Sequence, residues 1–250
     1  RFGATHRPLL VSVRSGAAHS MPGMMDTVLN LGINPAVAAA LASETKDARY
    51  AADTHRRFIE QYRKVVLGGH SDPVPVDPWD QLRAAVAAVF DSWYSPRARA
   101  YRSNRGLADD SGTAVTIQAM VFGNLDERSG TGVLFSRNPI TGEAPAWGEW
   151  LLRGQGEDVV AGDHTPMPLD ALRDEMPNMH AELMRAAEML EADARDIQDI
   201  EFTVESGRLW LLQTRSAKRS PQAAVRAAVA FADDGIISKE QAVRRLSTEQ

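Results

Sequence analysis

Two stretches of this 250-residue chain carry side chains able to act on an anionic, metal-bearing ligand. In the first, residues 197–204 alternate so that Asp199, Glu201 and Thr203 share one strand face while Ile200, Phe202 and Val204 share the other. Glu205, Ser206 and Gly207 then turn the chain into a second strand that ends at Leu212, Gln213, Thr214 and Arg215. A three-residue loop with Gly207 in the left-handed region places Asp199 opposite Gln213 and Glu201 opposite Leu211, with Arg215 on the same polar face. A two-residue loop would slip the pairing by one and turn Gln213 to the apolar side, so the first register is expected. Two carboxylates and an amide oxygen are hard ligands that suit Mg²⁺ shared with substrate phosphates. A solvated face of an edge hairpin accounts for the same acids, and the hairpin alone leaves both readings open.

The second stretch begins at Arg14, the cationic end of an alternating strand over 8–14, and continues through a loop of Gly, Ala, Ser and Met over 15–26. Small residues after a strand let backbone N–H groups approach an anion, and a strand-end guanidinium can fork onto phosphate oxygens. No Gly-Lys-Ser/Thr follows, so this is not a Walker loop, and it is not a Rossmann fingerprint. Met21, Met24 and Met25 equally suit flexible core filling.

The elements that must position these groups describe an α+β chain. Helical spacing predicts helices over 35–43, 46–67, 79–94 and 96–105, with Phe58, Tyr62, Val65 and Val66 on one stripe of the second. Pro73, Pro75 and Pro78 bar a helix from 71–78, which reads as a connector. From residue 113 the apolar period moves from 3.6 towards 2, predicting strands over 113–122, 131–137 and 147–152 and the hairpin over 197–215. Helices are expected over 177–195, 221–234 and 239–247.

The composition, 44% hydrophobic and 24% charged, is that of a globular protein and excludes disordered, collagenous and coiled-coil chains. A net charge of -5 excludes a basic phosphate-backbone binder, so no nucleic-acid partner is expected. The charge is uneven, with 14 basic and 9 acidic residues over 1–105 against 14 and 24 over 106–250, which suits a metal-bound polyphosphate or uneven solvation alike. The absence of Cys excludes thiol catalysis and fits a reducing compartment. With no signal peptide and no apolar run of about 18 residues, a cytoplasmic protein without a membrane partner is expected. The chain opens on Arg1 rather than Met, so a fragment of a longer protein is expected.

The spelling of the motifs goes further than their spacing. Val13, Arg14, Ser15, Gly16, Ala17 and Ala18, with the run from Ser20 through Met21, Pro22, Gly23, Met24, Met25, Asp26 and Thr27 to Gly32, closely resemble the signature of the pyruvate, phosphate dikinase family. The likeness continues through residues 118–124, 129–139, 154–162 and 198–203 to residues 212–215, and is weakest over 40–100. It implies an ATP-grasp-like nucleotide-binding domain in which ATP is clamped between two lobes and its β-phosphoryl end passes, as pyrophosphate, to a histidine on another domain. On that likeness, 1–33 belong to the first lobe, 34–95 to a helical insertion, 96–121 to the return and hinge, 122–218 to the second lobe, and 219–250 to a helical linker.

Site roles follow from the same resemblance. It implies that Arg14 contacts the polyphosphate and offsets charge developing during transfer, and that Gly23 and Thr27 lie near the phosphates. Gln118, Met120 and Val121 match the hinge that recognises adenine. Glu201 matches the metal-coordinating glutamate, with Asp199 and Gln213 beside it, and Arg215 matches a second phosphate-contacting arginine. The implied partners are ATP, Mg²⁺, a phosphohistidine domain and a pyruvate/phosphoenolpyruvate domain, in a homodimeric full-length protein. The pattern departs from the family in two respects: none of Lys46, Lys64, Lys218 and Lys239 sits in a Gly-rich segment, and no Thr-Ser-His motif is present. These departures keep two alternatives in view, a non-catalytic ATP-binding regulatory module and a related dikinase such as phosphoenolpyruvate synthase. Of the six histidines, only His19 lies inside the loop where phosphate contact is expected.

Overall fold

The computed structural model describes residues 1–19, 21, 23–156, 158 and 165–246, which form two compact units, Arg1–Met120 and Val121–Gln250. In the first unit, β1 (Val11–Gly16) is the middle strand, flanked on both sides antiparallel by β2 (Thr27–Leu31) and β3 (Ala114–Ala119). Helices α1 (Pro35–Thr45), α2 (Ala48–Val65), α3 (Pro78–Asp91) and α4 (Pro96–Asn104) come between β2 and β3 in sequence. Each starts on a short polar side chain that accepts a first-turn amide: Asn34 from Val37, Asp47 from Arg49 and Tyr50, Asp77 from Trp79 and Asp80, Ser95 from Ala98. The apolar stripe of α2 buries Phe58 and Tyr62 completely, and Val13 and Val28 are equally buried on the sheet.

The second unit holds a five-stranded antiparallel sheet in the order β6-β5-β4-β7-β8. Its strands are β4 (Gly130–Phe135), β5 (Trp147–Leu152), β6 (Met167–Pro168), β7 (Gln198–Glu205) and β8 (Arg208–Ser216). Helices α5 (Asp170–Glu175) and α6 (Pro177–Ala194) cover one face, where Leu134, Trp150, Leu172, Leu183, Ile200, Phe202 and Val204 form the core. A separate cluster gathers Ile197, Phe231 and Ile237 under α7 (Pro221–Asp233) and α8 (Lys239–Arg244).

The α+β class of the sequence reading is the class observed. In the first unit the strand expected over 8–14 runs Val11–Gly16, the one expected over 113–122 runs Ala114–Ala119, and β2 has no predicted counterpart. The reason is local, because Asn30 takes a φ of +57 inside β2 and the β1–β2 register shifts between Val11 and Val13, so no clean alternation is written there. In the second unit β6 and α5, two and six residues long, are too short for a periodic signal.

The core of this sheet is a layer of flat rings lying on glycine. Trp150 and Phe202 stack with centroids 5.9 Å apart and planes 2° from parallel. Between them on β4, Gly132 pairs with both residues, and a Cβ there would sit 2.6 Å from the Phe202 ring and 2.4 Å from the Glu149 carbonyl oxygen. Gly132→Ala should therefore lower stability by about 1–3 kcal/mol through overpacking, read as a fall in the denaturant midpoint at constant m.

Candidate functional site

On β1 the side chains alternate, so Val11 and Val13 turn to the core while Ser12 and Arg14 share the opposite face. Arg14 pairs with Thr27 on β2 and with Thr116 on β3, and Ser12 pairs with Gln118, whose carbonyl accepts from the Ser12 hydroxyl at 3.5 Å. The sheet thus brings Arg14, Thr27 and Gln118 onto one polar face. Past the end of β3, the Met120 amide donates to the Leu10 carbonyl at 3.0 Å, and its sulfur accepts from the Asn30 amide at 3.0 Å. Val121 opens the second unit.

The Gly/Met loop between β1 and β2 is tightly turned. The Met24 amide donates to the Met21 carbonyl at 3.1 Å, and Gly23 is exposed at φ +72 with open space where a side chain would go. Side chains at the junction of α3 and α4 support the loop. The Asp26 amide donates to Ser92 Oγ at 3.2 Å, while Arg97 donates from Nε to the Met24 carbonyl at 3.0 Å and from its Nη2 to the Asp26 carboxylate. His19, within this loop, is exposed, whereas Ser20 and Pro22 lie outside the described residues.

In the second unit the hairpin register is corrected on both counts. Glu205 pairs with Arg208 around a two-residue turn, with Ser206 at φ +49 and Gly207 at φ +76, so the three-residue loop does not form. A bulge then inserts Leu212, after which Glu201 pairs with Gln213 and Asp199 with Arg215. The two-residue turn alone would have put Gln213 on the core side, and the extra residue returns it to the face of the acids.

Asp199, Glu201, Gln213 and Arg215 consequently lie together on the sheet face away from the Phe202 core. Arg215 Nε donates to Asp199 Oδ2 at 2.8 Å, and its Nη2 lies 4.0 Å from Glu201 Oε1. Asp199 is buried, and its other oxygen, Oδ1, has no hydrogen-bond partner among the described residues. An orphaned buried carboxylate oxygen beside a second carboxylate and an amide is a donor set that a hard cation fits. Among the described residues no three His, Asp or Glu side chains cluster tightly enough to hold a cation without further ligands.

A family model described as pyruvate phosphate dikinase, AMP/ATP-binding domain, matches residues 1–180. The chain belongs to that family. It is 45% identical over 286 residues to pyruvate, phosphate dikinase 2 of Zea mays, an alignment covering 97% of this chain and 32% of the maize protein. It is 45% identical over 300 residues to pyruvate, phosphate dikinase of Rhizobium meliloti (strain 1021), covering 98% and 33%. With the dikinase of Clostridium symbiosum the identity is 44% over 293 residues, covering 100% and 34%. The chain therefore spans about a third of the length of these curated relatives. Because the aligned spans exceed 250 positions, the relatives hold residues within them that this family member lacks.

Sequence reasoning missed the residues that fasten the candidate groups in place. Phe122, next to Val121, donates its amide to Glu205 Oε1 at 2.8 Å. Asp126 accepts from Ser129 Oγ at 2.7 Å, from the Arg128 amide at 2.9 Å and from the Ser206 hydroxyl, so the loop after Val121 grips the hairpin turn. The Phe122–Glu205 and Asp126–Ser206 bonds join residues about 80 apart, and no local pattern announces them. In the motif over 154–162, the Gln155 amide donates to Asp158 Oδ2 at 2.9 Å, while Glu157 and 159–162 lie outside the described residues.

Deleting Leu212 should remove the bulge and leave a regular hairpin in which Glu201 still pairs with Gln213 and Asp199 with Arg215, so the second unit should keep its β-sheet circular dichroism; loss of that signal would show that the bulged residue itself is needed for folding. Asp126 offers a pH test. Burial alone would raise its carboxyl, but the hydrogen bonds from Ser129, Ser206 and the Arg128 amide outweigh it and hold it below the usual carboxylate range. A depressed folded-state value means the stabilisation is complete above the unfolded value of about 4 and is lost as pH falls through the lower folded value. Denaturant midpoints from pH 7 to 2 should fall less steeply below about pH 4 in Asp126→Asn than in the wild type.

Proposed function

We propose that this chain is the ATP-binding part of a pyruvate, phosphate dikinase. In the full protein it passes the β,γ-diphosphoryl group of ATP to a histidine on another domain, within the interconversion of ATP, phosphate and pyruvate with AMP, diphosphate and phosphoenolpyruvate. The observation that carries this reading is the return of Gln213 and Arg215 to the acid face by the Leu212 bulge, in a chain that belongs to the family. The phosphohistidine and pyruvate domains, the homodimer and a cytoplasmic location belong to the proposal and rest on likeness to the family and on the lack of Cys.

In this reading Asp199, Glu201 and the Gln213 amide oxygen hold Mg²⁺, which when bound neutralises charge on the phosphate oxygens. Arg215 is oriented by its bond to Asp199 and offers its remaining donors to a phosphate. Arg14, with Thr27 and Gly23 beside it, contacts the polyphosphate and offsets charge that develops as the diphosphoryl group leaves. Gln118, Met120 and Val121 bind adenine, where a strand end and a soft thioether suit a flat ring. The fold is of the ATP-grasp kind on the same reasoning.

Calorimetric titration of the chain with ATP in the presence of Mg²⁺ should show binding that weakens by more than about tenfold in Glu201→Ala and in Arg14→Ala. Chelating the metal should weaken it comparably in the wild type and much less in Glu201→Ala. Full ATP affinity in both variants would sink the reading.

A further inference from the structure

The position of Arg97 is unexplained by its own helix. It follows the cap Ser95 and Pro96 in the first turn of α4, where the helix dipole disfavours a cation, and that turn contains no acid to offset it. What accounts for it lies across the chain: Arg97 reaches the Met24 carbonyl through Nε and the Asp26 carboxylate through Nη2. Both targets are electronegative groups of the loop read above as the phosphate site. Left unengaged, a carbonyl oxygen and a carboxylate beside a polyphosphate would repel it.

The base from which Arg97 reaches is stiff. Ser92, buried at the α3–α4 junction, accepts from the Asp26 amide at 3.2 Å and donates to the Val89 carbonyl at 2.7 Å. One turn further along α4, the buried guanidinium of Arg102 stacks 4.0 Å over the Trp93 ring and donates to the Trp93 carbonyl at 2.8 Å and to Asp109 at 2.7 Å. The junction is thus held to Asp109 by one arginine and to the loop by another.

We propose that Arg97 is a positioning residue for the polyphosphate: it turns the Met24 carbonyl aside, neutralises Asp26 and holds the loop in the shape that accepts phosphate. The inference rests on the reading of this loop as a phosphate site. A lysine preserves the charge but offers one point of attachment, so two-pronged holding and plain charge attraction give different outcomes.

The test titrates wild type, Arg97→Leu and Arg97→Lys with MgATP and, separately, with AMP, which lacks the terminal phosphates. Both variants should lose about tenfold in MgATP affinity and change by less than about twofold for AMP. Hydrogen exchange should rise in the peptide spanning residues 23–27. If the leucine variant does not fold, the lysine variant and Asp26→Asn, which removes the carboxylate's charge from the loop side, carry the comparison. Equal losses for the two nucleotides, wild-type ATP affinity in Arg97→Lys, or unchanged exchange would each overturn the role given to Arg97 while leaving nucleotide binding intact. A wild type that binds ATP no better than AMP, or neither of them, refutes the phosphate-site reading itself and the inference with it.

Discussion

Parity along one β-hairpin governs what the second unit can do. Side chains on a strand alternate, so a single residue decides whether Gln213 and Arg215 share the face of Asp199 and Glu201 or face the Phe202 core. Two features of opposite sense set that parity here: a two-residue turn that slips the pairing and an inserted Leu212 that restores it. With Leu212 paired in the ladder instead of bulged, the two-residue turn would direct Gln213 and Arg215 to the core. The bulge is therefore part of the site's construction, consistent with the tendency of bulges to re-aim side chains beside functional groups.

The turn itself depends on contacts made far along the chain. Ser206 occupies the left-handed region, which costs a non-glycine residue about 1 kcal/mol or more. Its amide donates to Ser129 Oγ at 2.9 Å, its hydroxyl donates to Asp126, and the Gly207 amide donates to the Arg128 carbonyl at 2.8 Å. The loop that begins at Val121 thereby stabilises the turn that fixes the register, and Glu205 holds the same loop at Phe122. Beneath them, the Trp150–Phe202 stack on Gly132 gives the strands a close-packed floor, so the acids project from a rigid surface.

The first unit solves a related problem by a different route. The loop between β1 and β2 buries Met21 and is tied down by polar side chains from Ser92 and Arg97 on a helical junction. Ser92, within the expected helical insertion, and Arg97, within the expected return segment, thus both reach this loop. Arg14 and Thr27, on the strands that flank the loop, are neighbours across β1 and β2, so strand pairing joins its two ends while Arg97 of α4 holds Met24 and Asp26.

Much was legible from residues alone because it is local. Helix starts at Asn34, Asp47, Asp77 and Ser95 are written in a capping side chain and, in three cases, a proline beside it. The apolar stripe of α2, the alternation of β7 and the motif spelling that pointed to the dikinase family needed no long-range information. What the sequence left open was decided by contacts between distant segments: the hairpin register, β2 with its irregular Asn30, and the roles of Glu205, Asp126, Ser92 and Arg97. A strand's faces can be read from alternation, but which residue stands opposite which depends on the turn, and this turn is stabilised by groups about 80 positions away. Tertiary structure had to supply the register because the free energy that selects it is not stored in the hairpin's own residues.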